Sequence, residues 1–530
     1  MSGVVQVAAM ALLGTEGAPV TVEAGSARRL PGIAIVGLPD AALGEAKQRV
    51  RHAAAAQGLQ LSDRFILVNL QPAELPKHGS GFDLAIALAV LAVSGVVRSE
   101  RLSNTVHIGE LGLDGTVRRP RGLLAAVIAA KTAGFSAVMV PAEGAKEASL
   151  VKGMTVIGVA TLSAAVAWHR GEVDEAILLP RSGSAVSQSE TANVPAGQST
   201  GLGYDARRAV DMSEVIGQQV AIEALTIAAA GRHHVHFVGP PGAGKTMLAE
   251  RLPTILPRLS DEASLRATSI HSLISNDTLT SLMRVPPFEH PHHTASPAAM
   301  IGAAKGGGLI PGSLSLASEG VLFLDEAAEF SRNVLDALRQ PLEQGKVHIH
   351  RASLRATLPA SVQLVLAHNP CPCGKAGTEA TDAFCSCTPM QRRRYASRIS
   401  GPLRDRIDLG VTLRRVSSVN GGTGEHQGAQ TSEMLRARVN EARAAAAERL
   451  AGTPWRVNAE VSGGWLREGD LRLGAQTTAL LDRALALGTL TLRGYDRALR
   501  VAWSVADLAG KTSPGATEVS RALMFREARS

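Results

Sequence analysis

From residue 1 to about 180, short β-branched runs alternate with alanine-rich apolar runs. Arg64-Phe-Ile-Leu-Val-Asn-Leu70 reads as a strand. Phe82 to Val93, apolar on all sides, reads as a buried helix. The pattern lapses over 182–203, where Ser, Gly, Gln and Thr leave almost nothing to bury, and a flexible linker is predicted over 181–205. Periodicity returns from 206 to 415 with a series of apolar strands that end in polar residues. A second glycine-rich loop, Asn420-Gly-Gly-Thr-Gly-Glu-His-Gln-Gly, then precedes a helical region over 416–530. There Met434 to Leu450, rich in Arg, Ala and Glu, reads as a solvated helix. A chain of 530 residues has room for two to four such units.

The residues at those strand ends carry the chemistry. Val235-His-Phe-Val238 runs into Gly239, Pro240, Pro241, Gly242, Ala243, Gly244, Lys245 and Thr246, and a helix follows through Met247 to Glu250. This is G-x-x-x-x-G-K-[ST] between a strand and a helix. Its glycines let backbone N–H groups face a triphosphate, the helix dipole adds positive potential, Lys245 supplies a charge, and the Thr246 hydroxyl suits Mg²⁺. A chance glycine-rich turn is the competing reading, and the flanking strand and helix weigh against it. Gly320-Val-Leu-Phe-Leu-Asp-Glu326 ends in two acids, Asp325 for Mg²⁺ and Glu326 for polarising a water. Ser361-Val-Gln-Leu-Val-Leu-Ala367 ends in His-Asn-Pro, and Asn369 is placed to orient that water. An ordinary acidic turn and an ordinary Asn-Pro turn are the bland alternatives.

Composition narrows the setting. Apolar residues make up 45% and charged residues 19%, as in a globular protein, and the net charge of +8 is mildly favourable to nucleic acid. No apolar run reaches the roughly 18–20 residues of a membrane span, and a cytoplasmic location is expected.

These motifs, with His368-Asn-Pro-Cys-Pro-Cys-Gly374 and Ser400-Gly-Pro-Leu-Arg-Asp-Arg-Ile-Asp-Leu409 following in order, resemble the YifB/ComM family of magnesium-chelatase-like AAA+ ATPases. Leu30-Pro-Gly-Ile-Ala-Ile-Val-Gly-Leu-Pro-Asp40, Gly79-Ser-Gly-Phe-Asp83, His290-Pro-His-His-Thr-Ala-Ser-Pro-Ala-Ala299 and Leu492-Arg-Gly-Tyr-Asp-Arg-Ala-Leu-Arg-Val-Ala502 extend the likeness along nearly the whole chain. The resemblance implies an α/β fold: an AAA+ P-loop αβα core with a helical lid, preceded by an α+β N-terminal domain like that of Lon protease. The expected division is 1–180, linker 181–205, ATPase core 206–415 and lid 416–530.

The same resemblance implies a homo-oligomer, a hexameric ring with ATP sites between subunits. It also implies a DNA helicase driving branch migration in recombination and natural transformation. A chelatase-like remodeller of a protein partner is the alternative. By the same likeness Arg406 is the arginine finger that reaches the neighbouring subunit, and Arg493 is the lid arginine that reads nucleotide in its own subunit. Val215-Ile-Gly-Gln218 borders the adenine. Where the family often has Ala-Arg-Thr, this chain has Ala502-Trp-Ser504, so any role of that arginine is lost.

Three further features have chemistry of their own. All four cysteines, Cys371, Cys373, Cys385 and Cys387, form two C-x-C pairs, which suit tetrahedral Zn²⁺, with free thiols or redox disulfides as alternatives. Val347 to Pro359 alternates like a hairpin, so His348, His350, Arg351 and Arg355 are candidate DNA-phosphate contacts, joined by Lys305 from the glycine-rich, mobile stretch Met300 to Leu309 and by the basic run Gln391–Arg394. Solvated surface is the competing reading for each. His290, His292 and His293 are read as shaping a loop near the ring's pore rather than as metal ligands. In the N-terminal domain Ser80 is tempting as a nucleophile. The likeness to Lon puts the nucleophile's place on Gly81 and the lysine's near Leu124, with Lys131 beyond it, so no peptidase chemistry is expected.

Overall fold

A computed structural model of the chain describes residues 4–37, 40–75, 77, 80–98, 100–172, 177–179, 210–305, 308–351, 354–376, 384–415 and 430–527. The predicted linker and the loop from Asn420 to Gly428 lie outside these residues.

The N-terminal strands are β1 (Val5–Leu13), β2 (Glu16–Ala27), β3 (Gly32–Val36), β4 (Phe65–Gln71), β5 (Thr105–His107), β6 (Glu110–Leu111), β7 (Val117–Arg118), β8 (Ala137–Pro141), β9 (Thr155–Val159) and β10 (Ile177–Leu179). One mixed sheet runs β10-β9-β8-β5-β1-β2-β4-β3, and β6 and β7 form a separate pair. The predicted strand at 64–70 is β4, and the predicted apolar helix is Asp83–Val93. Every residue from Asp83 to Leu91 is buried, since a helix apolar on all sides must be covered on all sides. The acid that opens it is met by Arg49, whose Nε lies 2.6 Å from Asp83 Oδ2.

The second body contains β11 (Val235–Val238), β12 (Phe288–Glu289), β13 (Gly302–Lys305), β14 (Gly308–Pro311), β15 (Val321–Leu324), β16 (Lys346–Arg351), β17 (Leu354–Pro359), β18 (Gln363–His368) and β19 (Leu409–Thr412). Five of these make a sheet in the order β12-β15-β18-β11-β19, parallel at every pairing. β15 and β18 are buried along their whole length, as strands of a covered parallel sheet are. In such a sheet the loops at the strands' carboxyl ends build the site. Two antiparallel hairpins, β13–β14 and β16–β17, accompany it. The stretch expected to be a mobile glycine-rich loop is therefore the end of the helix Pro297–Ile301 followed by the first hairpin, with 306–307 outside the described residues.

The C-terminal region is helical, with Ser432–Arg449, Gly463–Glu468, Ala475–Ala486, Leu492–Leu508 and Ala516–Glu527. The helix read as solvated is not so on every face. Leu435, Val439, Ala442 and Ala446 fall on one side and are buried against helices Gln219–Gly231, Lys245–Ile255 and Leu492–Leu508. Alanine fills half of that stripe, so the apolar period is faint in a run rich in Ala and Arg.

The two bodies meet through a buried charge pair. Arg119 gives two hydrogen bonds to the Glu147 carboxylate (2.6 and 3.0 Å) and one to the Ser275 carbonyl (3.1 Å). Glu147 also accepts from the backbone of Leu124 and Leu279. Gly122 N–H donates to Ser272 O at 2.8 Å, and Gly14, in the β1–β2 turn, bridges to Thr357 of β17. The N-terminal domain thus touches both the base of one hairpin and the end of the helix Asp261–Ser272.

Candidate ATP site

The chain leaves β11 at Gly239 and turns through Gly242 (φ +77°) and Gly244 (φ +85°), left-handed positions that a side chain would strain. A Cβ on Gly239 would come within 2.9 Å of Leu413 Cβ, so the loop lies flush on the end of β19. The helix Lys245–Ile255 starts directly from Gly244 and turns its free N–H groups and positive dipole end toward the loop. Lys245 is buried. Its ammonium donates to the carbonyls of Gly239 (2.6 Å) and Pro240 (3.1 Å) and to Asn369 Oδ1 (3.0 Å). Burial lowers its pKa against the pull of Asp325 and Glu326. Met247 packs on the core one turn into the helix. Gln218 Nε2 donates to Ala243 O (3.3 Å) and Arg414 O (2.7 Å), and Arg415 Nε to Pro241 O (2.9 Å), so the outer side of the loop is also held.

At the end of β15 the Thr246 hydroxyl donates to Asp325 Oδ2 at 2.6 Å. A hydroxyl and a carboxylate this close, beside the phosphate loop, are an oxygen pair that fits Mg²⁺. The next residue, Glu326, is in the left-handed region (φ 50°), unusual for a residue with a side chain. Its carboxylate Oε2 lies 3.1 Å from His293 Nδ1. Sequence reasoning missed this contact, because it assigned His293 to a loop near a pore. The His290 ring, 4.7 Å from that of Phe323, anchors the His-Pro-His-His turn on β15 and so brings His293 to the acid. Its neighbour His292 hydrogen-bonds Thr294 at 2.8 Å.

Three family models match the chain in succession. "Subunit ChlI of Mg-chelatase" covers residues 22–144, "Magnesium chelatase, subunit ChlI" 211–420, and "Magnesium chelatase, subunit ChlI C-terminal" 429–526. An uncharacterized protein of Mycobacterium tuberculosis is 46% identical over 521 residues, 98% of this chain and 97% of its own. The competence protein ComM of Haemophilus influenzae is 37% identical over 519 residues (97% and 96%), and the uncharacterized protein YifB of Escherichia coli 36% over 508 (94% and 92%). The chain belongs to the YifB/ComM family of magnesium-chelatase-like AAA+ ATPases.

The two arginines singled out in this YifB/ComM chain, Arg406 for a neighbour's site and Arg493 for its own, lie together. Arg406 Nη2 is 2.5 Å from Glu343 Oε1, and its Nη1 donates to Pro402 O. It shares a cavity of about 190 Å³ with Glu343, Asp405, Arg493, Asp496, Arg497 and Arg500. Arg497 donates to Arg406 O (2.7 Å) and to Asp408 Oδ1 (2.6 Å). Asp408 is buried. Burial pushes its carboxyl up, but Arg497 and His233 outweigh that and hold it well below the usual range. Asp408 N donates to His234 O, just before β11, whereas the phosphate loop leaves the other end of that strand. The cavity is therefore at the amino edge of the parallel sheet, a strand's length of about 10 Å from the phosphate loop's edge. Arg406 thus lies away from its own phosphate loop. Arg493, expected to read its own subunit's nucleotide, sits beside it. The C-terminal helices pack on the helices Gln219–Gly231 and Lys245–Ile255 and on β19.

Nearby, Ser504 takes up the departure from the family pattern. Its hydroxyl lies 2.7 Å from His233 Nε2 and accepts from Asn458 Nδ2 at 3.0 Å. The Trp503 ring is covered by the Arg449 guanidinium, 4.4 Å from its centroid.

The four cysteines converge. All are free, and their sulfurs lie within 4.8 Å of one another. Cys371 Sγ is 3.4 Å from Cys373 Sγ and 3.7 Å from Cys385 Sγ, and the latter two are 3.4 Å apart. Sulfurs about 2.3 Å from a tetrahedral Zn²⁺ are about 3.8 Å apart, so the set fits one ion. A backbone hydrogen bond at Lys375 lowers the Cys373 thiol to about 6.

Of the candidate DNA contacts, Arg355 is exposed, and His348 Nδ1 lies 3.2 Å from Thr357 Oγ1 across the hairpin. The side chains of Lys305, His350 and Arg351 lie outside the described residues, although their backbones form strand ends. The two hairpins touch, since a Cβ at Gly302 would come 3.0 Å from Ile349 Cδ1. Gln391–Arg394 lies on the helix Pro389–Ala396, which a Thr388–Gln391 capping box starts just after Cys387. In the N-terminal domain Lys131 turns its ammonium to the Lys152 carbonyl at 2.7 Å.

Proposed function

We propose that this chain is the subunit of a ring-forming, ATP-driven DNA motor, a hexamer that moves branched DNA during recombination or natural transformation. The observation that carries it is the His293–Glu326 contact at 3.1 Å. The turn holding His293 leads through the helix Pro297–Ile301 straight into hairpin β13–β14, which rests on β16–β17. A strand loaded on those hairpins would thereby act on the acid that hydrolyses ATP. The ComM relative's description as a competence protein supports DNA as the substrate.

In this reading ATP lies on the amides of Gly239 to Thr246, with Lys245 released from the Gly239 and Pro240 carbonyls to meet the outer phosphates. Thr246 and Asp325 hold Mg²⁺, which neutralises phosphate charge. Glu326 takes a proton from the attacking water, and Asn369 fixes that water's position. The neighbouring subunit supplies Arg406, and Arg493 with it, against the charge that builds on the transferring phosphoryl group. The C-terminal helices serve as the lid of that adjoining site. Hydrolysis then resets the hairpins, whose basic residues hold DNA by its phosphates. The four thiolates hold a Zn²⁺ ion.

The test is ATP turnover with and without branched DNA, beside Lys245→Ala, followed by strand displacement from a fork. DNA-stimulated turnover and displacement, both absent in the variant, are expected. Turnover stimulated only by a partner protein would replace this reading with a chelatase-like remodeller.

A further inference from the structure

The thiol cluster does more than close a loop, because that loop lies on the phosphate site. Cys371 is buried, two residues after Asn369, whose side chain holds Lys245. From Cys371 the chain makes a tight turn. Gly374 N donates to Cys371 O at 3.0 Å, and Ala376 N to Cys371 Sγ at 3.4 Å. Gly374 is left-handed (φ +74°), and a Cβ there would lie 2.6 Å from Pro241 Cδ and 2.8 Å from Cγ. The backbone of the turn thus presses on the ring of a phosphate-loop proline. One short segment therefore meets the loop twice, through Asn369 on Lys245 and through Gly374 on Pro241, with Cys371 between the two contacts.

We infer that the metal held by Cys371, Cys373, Cys385 and Cys387 clamps the phosphate loop in its ATP-receiving shape, so that metal occupancy sets nucleotide affinity. This rests on the Zn²⁺ reading of the cluster. The ion ties the turn to Cys385 and Cys387, which lead directly into the capped helix Pro389–Ala396. Without it the turn loses its anchorage on that helix, and the pressure on Pro241 goes with it.

The experiment reads zinc content and affinity for a fluorescent ATP analogue on the full-length chain. Wild-type protein purified without added metal should carry about one Zn²⁺ per chain. Cys385→Ser with Cys387→Ser should carry none and bind the analogue at least about tenfold more weakly. Lys245→Ala should keep its zinc, which separates the metal site from nucleotide binding itself. A zinc-free double variant with wild-type affinity overturns the clamp and leaves the zinc site standing. A wild-type chain with no metal and full affinity overturns both. Should the double variant not fold, wild-type protein is stripped with a mercurial, reduced under chelator and titrated before and after Zn²⁺ is returned. Affinity that recovers with Zn²⁺ supports the clamp, and affinity that never changed refutes it.

Discussion

Replacing His293 with alanine tests whether the His-Pro-His-His turn restrains Glu326, the proposed hydrolytic acid. The imidazole and the Glu326 carboxylate meet at 3.1 Å with side chains 32% and 54% exposed. So exposed a pair contributes about 0.2–1 kcal/mol. Glu326 has little else to hold it, since its backbone N–H already serves Asp325 Oδ1 at 2.8 Å and its left-handed backbone is strained. If the contact parks the carboxylate away from water in the absence of DNA, its loss frees the acid more often by the same free energy. One kcal/mol corresponds to about fivefold, so DNA-free turnover of His293→Ala should rise by about 1.4- to 5-fold. DNA stimulation should shrink by the same factor, because the stimulated rate is already that of a freed Glu326. Glu326→Gln should instead fall by about 100-fold or more, as loss of a general base does. Phosphate release at saturating ATP, with and without branched DNA, measures all three. An unchanged or slower DNA-free rate in His293→Ala, at unchanged nucleotide affinity, would refute the restraint.

Mixing inert variants locates the arginines: Arg406→Ala with Lys245→Ala should regain part of the ATPase activity, and so should Arg493→Ala with Lys245→Ala. Arg406→Ala with Arg493→Ala should regain none, and recovery in that last mixture would return Arg493 to its own subunit's site. Glu147→Ala leaves Arg119, 4% exposed, without its partner, so global stability measured by urea unfolding should drop by about 3–5 kcal/mol. Acid should weaken the N-terminal domain: burial lowers His107 to about 4 from 6.5, and its Nε2 lies 3.0 Å from the equally buried His169. The unfolded chain therefore takes up a proton that folded His107 refuses. Its contribution, about 3 kcal/mol, is whole above pH 6.5 and fades as pH falls toward 4, so a His107→Phe variant should show a flatter unfolding midpoint across that window.

The phosphate loop, the Asp325-Glu326 strand end and Asn369 could be read from the chain because each is a short apolar strand with its chemistry at the carboxyl end. A parallel sheet delivers such ends to one edge without help from distant sequence. Contacts between separate segments were not legible in this way. His293 was visible as one of three histidines, but its approach to Glu326 depends on the His290 ring packing against Phe323 of a later strand. The buried face of Ser432–Arg449 was hidden by alanines, which carry little hydrophobic signal. The placement of Arg493 depends on C-terminal helices that pack on the helices Gln219–Gly231 and Lys245–Ile255 and on β19, and local pattern does not record which elements a later domain packs against.

That last placement bears on why the proposed motor needs an assembly. Transition-state charge on a phosphoryl group needs cations on the side opposite the phosphate loop. Here the loop with Lys245 is at the carboxyl edge of the β12-β15-β18-β11-β19 sheet, and the cavity holding Arg406, Arg493, Arg497 and Arg500 is at the amino edge. The central strands β15 and β18 are buried along their length, every neighbouring pair of strands is hydrogen-bonded, and the Arg497–Asp408 pair fixes the cavity to the start of β19. No hinge within such a sheet brings one edge to the other. A second copy, rotated so that its amino edge faces the first copy's carboxyl edge, does so at once. In the proposed assembly that contact joins two different faces, so each added copy offers a fresh edge and closure into a ring would end the series.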